Sequence, residues 1–205
     1  MIDLNLPLWC GLISGALSAV AFLPYTYATL KGRCRPQRAS WLIWMVLGSI
    51  SLFSQWVEGA QASLWFAAVQ VMGAGLVAIL SIRHGAGSFV SRQDGAILTL
   101  AGAGLVTYFL TDTAAYALAI TIAISALGGV ATVIKAFNAP DSEAISAWVA
   151  GTVGSFFAIL AVIPPVPLLL AYPVYMLGMN GAVVIAILWG RNRRNRSCLP
   201  GGIAW

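Results

Sequence analysis

Residues 21–44 read AFLPYTYATLKGRCRPQRASWLIW. An apolar run ends, the eight residues 31–38 carry Lys31, Arg33, Arg35 and Arg38, and a second apolar run begins. Followed outward, the first run reaches back to about residue 8 and the second continues to about residue 57. A bilayer core about 30 Å thick takes about 20 apolar residues of helix. Both runs match a membrane crossing, joined by a short basic loop.

Composition extends that reading to the whole chain. Of 205 residues, 60% are hydrophobic and 8% are charged, against about 25% charged in a soluble domain. So few charges cannot cover a water-facing surface. The length allows seven or eight short-looped spans and no separate soluble domain. The sequence predicts seven, at 8–30, 39–57, 61–82, 95–111, 114–134, 144–164 and 167–189.

The placement of charge tests this count, because basic residues gather in cytoplasmic loops. With the N-terminus outside, the inner loops and the C-terminal tail hold all eleven Lys and Arg residues. They include Arg83 and Arg92 in the second inner loop, Lys135 in the third, and Arg191, Arg193, Arg194 and Arg196 in the tail. The outer segments carry only Asp3, Glu58 and Asp112. Removing or adding one helix scrambles this segregation. The expectation is an all-α integral membrane protein, N-out and C-in, in a bacterial cytoplasmic (inner) membrane. The net charge of +5 then reflects topology and not nucleic-acid binding. The N-terminus MIDLNLPLW lacks the positive region of a signal peptide, so the first run reads as a retained helix.

No Asp, Glu, Lys or Arg falls mid-span. Intramembrane charges mark proton relays, ion coupling and voltage sensing, so their absence argues against a carboxylate-driven pump. Cys10, Cys34 and Cys198 form no CxxC or Cys/His cluster, and no metal or other cofactor site is readable. His84, the one histidine, lies in an inner loop beside no nucleophile. An enzyme is not expected.

The chain also repeats itself. At an offset of 107, RASW (38–41) meets ISAW (145–148), pairing Trp41 with Trp148. At 108, MGAGLVAIL (72–80) meets NGAVVIAIL (180–188). The repeat predicts a three-helix bundle at 8–82, a linker helix at 95–111, a second bundle at 114–189 and a basic inner tail at 190–205. Three helices plus a linker restore the same orientation in the second copy, so the repeats are parallel, as in a known transporter architecture.

At these residues the chain resembles the PQ-loop and SWEET-type (MtN3-like) transporter superfamily. The likeness rests on AFLPYTYATLKG (21–32), RASWLIW (38–44) and VIKAFNAPDSEAISAW (133–148). It departs from the family pattern where Tyr25 stands for a Gln after Leu23-Pro24, and where Ala131 fills the second proline position. The resemblance implies two three-helix units around a solute path, with an Asn on the third helix of each unit. Asn180 matches the second of that pair; its strict mate at 108 is Met72, with Gln70 two residues away.

The residues alone point to the same depth. Gln70 and Asn180 are amides near mid-span, where an unpartnered amide is costly and a ligand hydroxyl can pair with it. An interhelical hydrogen bond is the plainer alternative. Trp44, Trp65, Tyr172 and Tyr175 are candidate pocket walls, with ordinary packing as their alternative. Pro24 removes a backbone hydrogen bond and is a candidate hinge in the first helix. Trp9, Trp41, Trp56, Trp148 and Trp189 read as interfacial anchors.

The leading expectation is facilitative transport of a small, mostly neutral metabolite, sugar-like first. A vitamin-precursor or nucleoside transporter resembling the nicotinamide riboside carriers is one alternative. A non-transporting receptor or scaffold is another. The expected partners are a small-molecule substrate and anionic lipid headgroups at the basic loops. One chain already holds both halves of a pathway, and a homo-oligomer is compatible with that.

Overall fold

The computed structural model describes residues 5–33, 36, 38–85, 99, 103, 106, 110 and 114–197. Every regular element among them is helical: α1 (Asn5–Leu30), α2 (Arg38–Val57), α3 (Leu64–His84), α4 (Ala114–Asn138), a single 3-10 turn (Pro140–Ser142), α5 (Ile145–Leu160) and α6 (Pro167–Ser197). Three segments, Leu6–Leu30, Leu64–His84 and Pro167–Arg194, are long and apolar enough to cross a membrane. Helices suit that setting because each satisfies its own backbone groups without water. Their outward faces carry exposed Leu23, Ile79, Val153, Phe156 and Ile185, a surface matched to hydrocarbon. Of the expected fourth span, 95–111, only Thr99, Ala103, Val106 and Leu110 are described, each helical; the rest of it lies outside the described residues.

The helix ends follow from local chemistry. α1 and α2 both close on a glycine in the left-handed region, Gly32 (φ 70) and Gly59 (φ 82). Gly32 N–H donates to Thr29 O and Arg33 N–H to Ala28 O; Gly59 N–H donates to Trp56 O and Ala60 N–H to Gln55 O. These are two Schellman motifs, which need a residue with φ above zero. α5 stops at Leu160, short of the expected 164, because Pro164, Pro165 and Pro167 cannot donate to a continuing helix. Pro167 then starts α6, where its missing N–H does no harm.

α6 continues eight residues past the expected 189. Arg194 Nη2 donates to Asp141 Oδ2 at 2.6 Å, and Arg191 Nε lies 3.6 Å from Asp141 Oδ1. The Arg193 guanidinium lies 5.6 Å from the Phe137 ring centre. Cations are also favoured in the last turn of a helix. The basic tail is therefore helical as far as Ser197.

The six helices form a closed ring in the order α1, α3, α2, α4, α6, α5. Within α1–α3 the third helix packs between the other two, and within α4–α6 it does so again. Across the ring, α1 meets α5 and α2 meets α4. Exchanging one triple for the other leaves this set of neighbours unchanged.

Contacts fix which ends lie together. Arg38, opening α2, donates from Nε to Ser81 O near the end of α3. This end gathers the described basic residues. The opposite end is filled by Phe66, Ala67, Leu118, Ala158 and Tyr172, with Ala60, Val162 and Leu169 in a further cluster. Trp9, Trp56 and Trp189 are exposed. Trp41 and Trp148, expected as anchors of the same kind, turn into the ring instead.

Candidate functional site

The ring lines a partly open cavity of about 150 Å³. α1 contributes Phe22 and Tyr25, α2 contributes Trp41 and Trp44, and α5 contributes Trp148 and Gly151. These come from the basic-end halves of their helices. α3, α4 and α6 add mid-helix residues, so the cavity runs from the middle of the ring toward the basic end. No charged side chain is among the described lining residues.

Five sequence candidates meet here: Gln70, Asn180, Trp44, Tyr172 and Tyr175. Trp65 does not line the cavity. It is 52% exposed, because its neighbour Phe66 faces the core and adjacent helical residues point about 100° apart at 3.6 residues per turn. Pro24 is half-buried inside α1, next to the lining residue Tyr25. Met72, the strict repeat mate of Asn180, is 65% exposed and faces away. Gln70, two residues earlier, is the amide that α3 turns inward.

Asn180 is 5% exposed and is held in place. Its Nδ2 donates to Ser155 Oγ at 3.3 Å, and Ser155 Oγ donates to Gly151 O at 2.7 Å. The amide lies against Gly151, where an added Cβ would sit 3.1 to 3.3 Å from its atoms. Among the described residues, Asn180 Oδ1 and the Gln70 amide make no hydrogen bond. Both groups line the cavity with hydrogen-bonding capacity to spare.

The facing wall is aromatic, with Trp41 at its centre. Trp41 Nε1 donates to Tyr25 Oη at 3.3 Å. Its ring centre lies 4.9 Å from Tyr25, 5.2 Å from Trp44 at 84°, and 6.3 Å from Phe22. On the other triple, Trp148 Nε1 donates to Glu143 Oε2 at 3.1 Å. That bond ties the cavity wall to the loop before α5. Tyr175 has the Ser125 hydroxyl as its polar neighbour, and Met176 and Met179 complete the α6 side.

Sequence reasoning missed Phe22, Tyr25, Trp41, Trp148 and the two methionines as lining residues. The signal for the tryptophans was present. Two residues paired by the repeat occupy equivalent places in their units, so an inward position for one implies it for the other.

Beyond the cavity, the acidic end is sealed between the triples. The Phe66 and Tyr172 rings lie 6.2 Å apart. Ser14 Oγ of α1 donates to Gly154 O of α5 at 2.8 Å, and Ser51 of α2 meets Thr121 of α4. Polar bridges between membrane helices are modest, about 0.6 to 2 kcal/mol each.

In comparisons with known proteins, no family model matches the chain, and no curated protein or solved structure matches it.

Proposed function

We propose that the chain is a facilitative transporter of a small, mostly neutral metabolite, working by alternating access between two three-helix units. The observation that carries this reading is the cavity between the triples. It is walled by aromatic rings, has no charged residue among the described lining, and holds two amides with unused hydrogen-bonding capacity. A neutral solute can replace water at those amides without bringing a charge into the membrane.

The seven-span, three-plus-one-plus-three plan belongs to this proposal. It is supported by the segregation of basic residues in the sequence and by the equivalent neighbours of the two triples. Under it, the basic end faces the cytoplasm of a bacterial inner membrane. The cavity then communicates with the inside while the Phe66–Tyr172 end is closed. A sugar-like solute is the first candidate on the family resemblance. A bundle packed solid to its centre would favour a non-transporting scaffold; this ring is not packed solid.

Uptake into proteoliposomes tests the proposal, with labelled glucose, uridine and glycine as solutes. Uptake of at least one above protein-free vesicles, lost in Asn180→Ala, is the expected result. Equal uptake with and without protein for all three overturns it.

A further inference from the structure

The offset of 107 that pairs Trp41 with Trp148 also pairs Phe22 with Gly129 and Trp44 with Gly151, while the third helices align at 108, where Asn180 pairs with the outward-facing Met72 beside Gly73. At the first two positions the first triple has a ring where the second has a glycine. In the first triple the Phe22 ring lies directly on Gly73, leaving no room for a side chain there. In the second, the Met179 thioether lies on Gly129 and the Asn180 amide lies against Gly151. At this level the second triple presents an amide, and the first a phenyl ring over glycine. Gln70 does not restore the balance. It lies three residues before Gly73, about 4.5 Å along the helix toward the acidic end.

We propose that the cavity binds its solute one-sidedly: a small uncharged flat ring, its hydrogen-bonding edge on Asn180 of the second triple and its faces against Phe22, Tyr25, Trp41 and Trp44 of the first. This rests on the transporter reading of the cavity and puts a flat ring in place of the sugar-like solute that the family resemblance suggests. Rings line both sides, with Trp148, Tyr172 and Tyr175 on the second triple; what the sides do not share is the Ser155-held amide of one and the ring cluster around Trp41 of the other. Asn180 is fixed by Ser155 and Gly151 with Oδ1 open, so it presents an acceptor at no reorganisation cost. The opposite wall is Trp41 with the Phe22, Tyr25 and Trp44 rings set against it, the Tyr25 hydroxyl already accepting from Trp41. Such a wall favours another aromatic ring at 4.5–7 Å between centres. A polyol carries hydroxyls on every side, and most of those facing this wall would meet ring faces and lose water with few partners to gain. The volume agrees, because an apolar cavity of about 150 Å³ accepts one benzene.

The test is binding to the purified full chain in nanodiscs, with empty nanodiscs as the blank, read by quenching of tryptophan fluorescence. The probes are benzamide, a flat ring with one amide edge, and the polyols glucose and xylitol. Benzamide is expected to bind at least tenfold more tightly than either polyol. Asn180→Ala and Gly151→Ala are each expected to weaken it tenfold or more, and Gln70→Ala less than threefold. Gly151→Ala removes no polar group, so its effect cannot come from an orphaned partner, and both variants are compared at matched melting temperature. Glucose or xylitol binding as tightly as benzamide, or equal losses in Asn180→Ala and Gln70→Ala, overturns one-sided ring recognition and leaves a neutral-solute site standing. Failure of benzamide to bind overturns ring recognition, whereas the transporter reading falls only if proteoliposome uptake of glucose, uridine and glycine is absent as well.

Discussion

Ser51 Oγ of α2 lies 3.2 Å from Thr121 Oγ1 of α4, joining the two triples on the acidic side of the cavity. Thr121 gives its own hydrogen to Leu118 O at 2.9 Å, so Ser51 is the donor. If the triples must separate here for the solute to pass, a covalent bond at this place stops the cycle. In a background lacking Cys10, Cys34 and Cys198, the pair Ser51→Cys and Thr121→Cys is expected to form a disulfide under mild oxidation. Uptake of the transported solute should fall at least tenfold and return on reduction. Full uptake with the bond intact on a gel would show that this seam does not open.

Asn180→Ala separates binding from stability. The substitution removes one weak amide–hydroxyl hydrogen bond, while Ser155 keeps its bond to Gly151 O. Interhelical bonds of this kind contribute about 0.6 to 2 kcal/mol, so the melting temperature should fall by only a few degrees. Solute binding should fall tenfold or more. If Asn180 serves packing alone, melting shifts and binding does not.

The ends of α1 and α2 and the start of α6 were legible in the sequence. Gly32 and Gly59 mark turns that require φ above zero, and the proline run 164–167 marks the α5–α6 break. The mid-span amides Gln70 and Asn180 were legible too, since few polar residues lie at that depth. The rotation of each helix was not. A helix apolar around its whole circumference has no polar face to mark its inward side. Trp65 and Phe66 are therefore equivalent in sequence, yet one is half-exposed and the other fully buried. Trp41 and Trp148 were misread for the same reason: a tryptophan near a helix end suits a membrane interface and a cavity mouth equally. The reach of α6 to Ser197 was hidden because its cause, Asp141, lies on another element.

Arg38 and Asp141 both brace the basic end, and their energies should differ. Arg38 donates to Ser81 O at 2.9 Å and Ile82 O at 3.4 Å, satisfying carbonyls at the end of α3 with a partly buried cation. A cation there contributes about 0.3 to 2 kcal/mol through the helix dipole; its loss also removes a donor from Ile82 O, while Ser81 O keeps the Gly85 N–H. Asp141 is 68% exposed, and exposed ion pairs contribute about 0 to 1 kcal/mol. Arg38→Ala should lower the melting temperature at both low and high salt. Asp141→Asn should change it slightly at low salt and not at all in 1 M salt. A larger, salt-independent loss for Asp141→Asn would mean that the α6 extension helps hold the bundle together.

The count of spans is open to a direct chemical test. Seven spans with the N-terminus outside place Glu58, in the turn between α2 and α3, on the outer face and Cys198 on the inner. Both lie beyond helix ends in this reading, so labelling requires no opening of the bundle. Glu58→Cys, with the native cysteines replaced, is expected to react with a membrane-impermeant maleimide in intact cells. Wild-type Cys198, in a chain lacking Cys10 and Cys34, is expected to react only after permeabilisation. The two sites differ by five spans, an odd number, so they must report opposite sides. Labelling of both from the same side would remove or add one crossing between residues 58 and 198, and with it the equivalence of the two triples across the membrane. Reversed sidedness at both sites would keep the seven spans and turn the cavity's basic end to the outside.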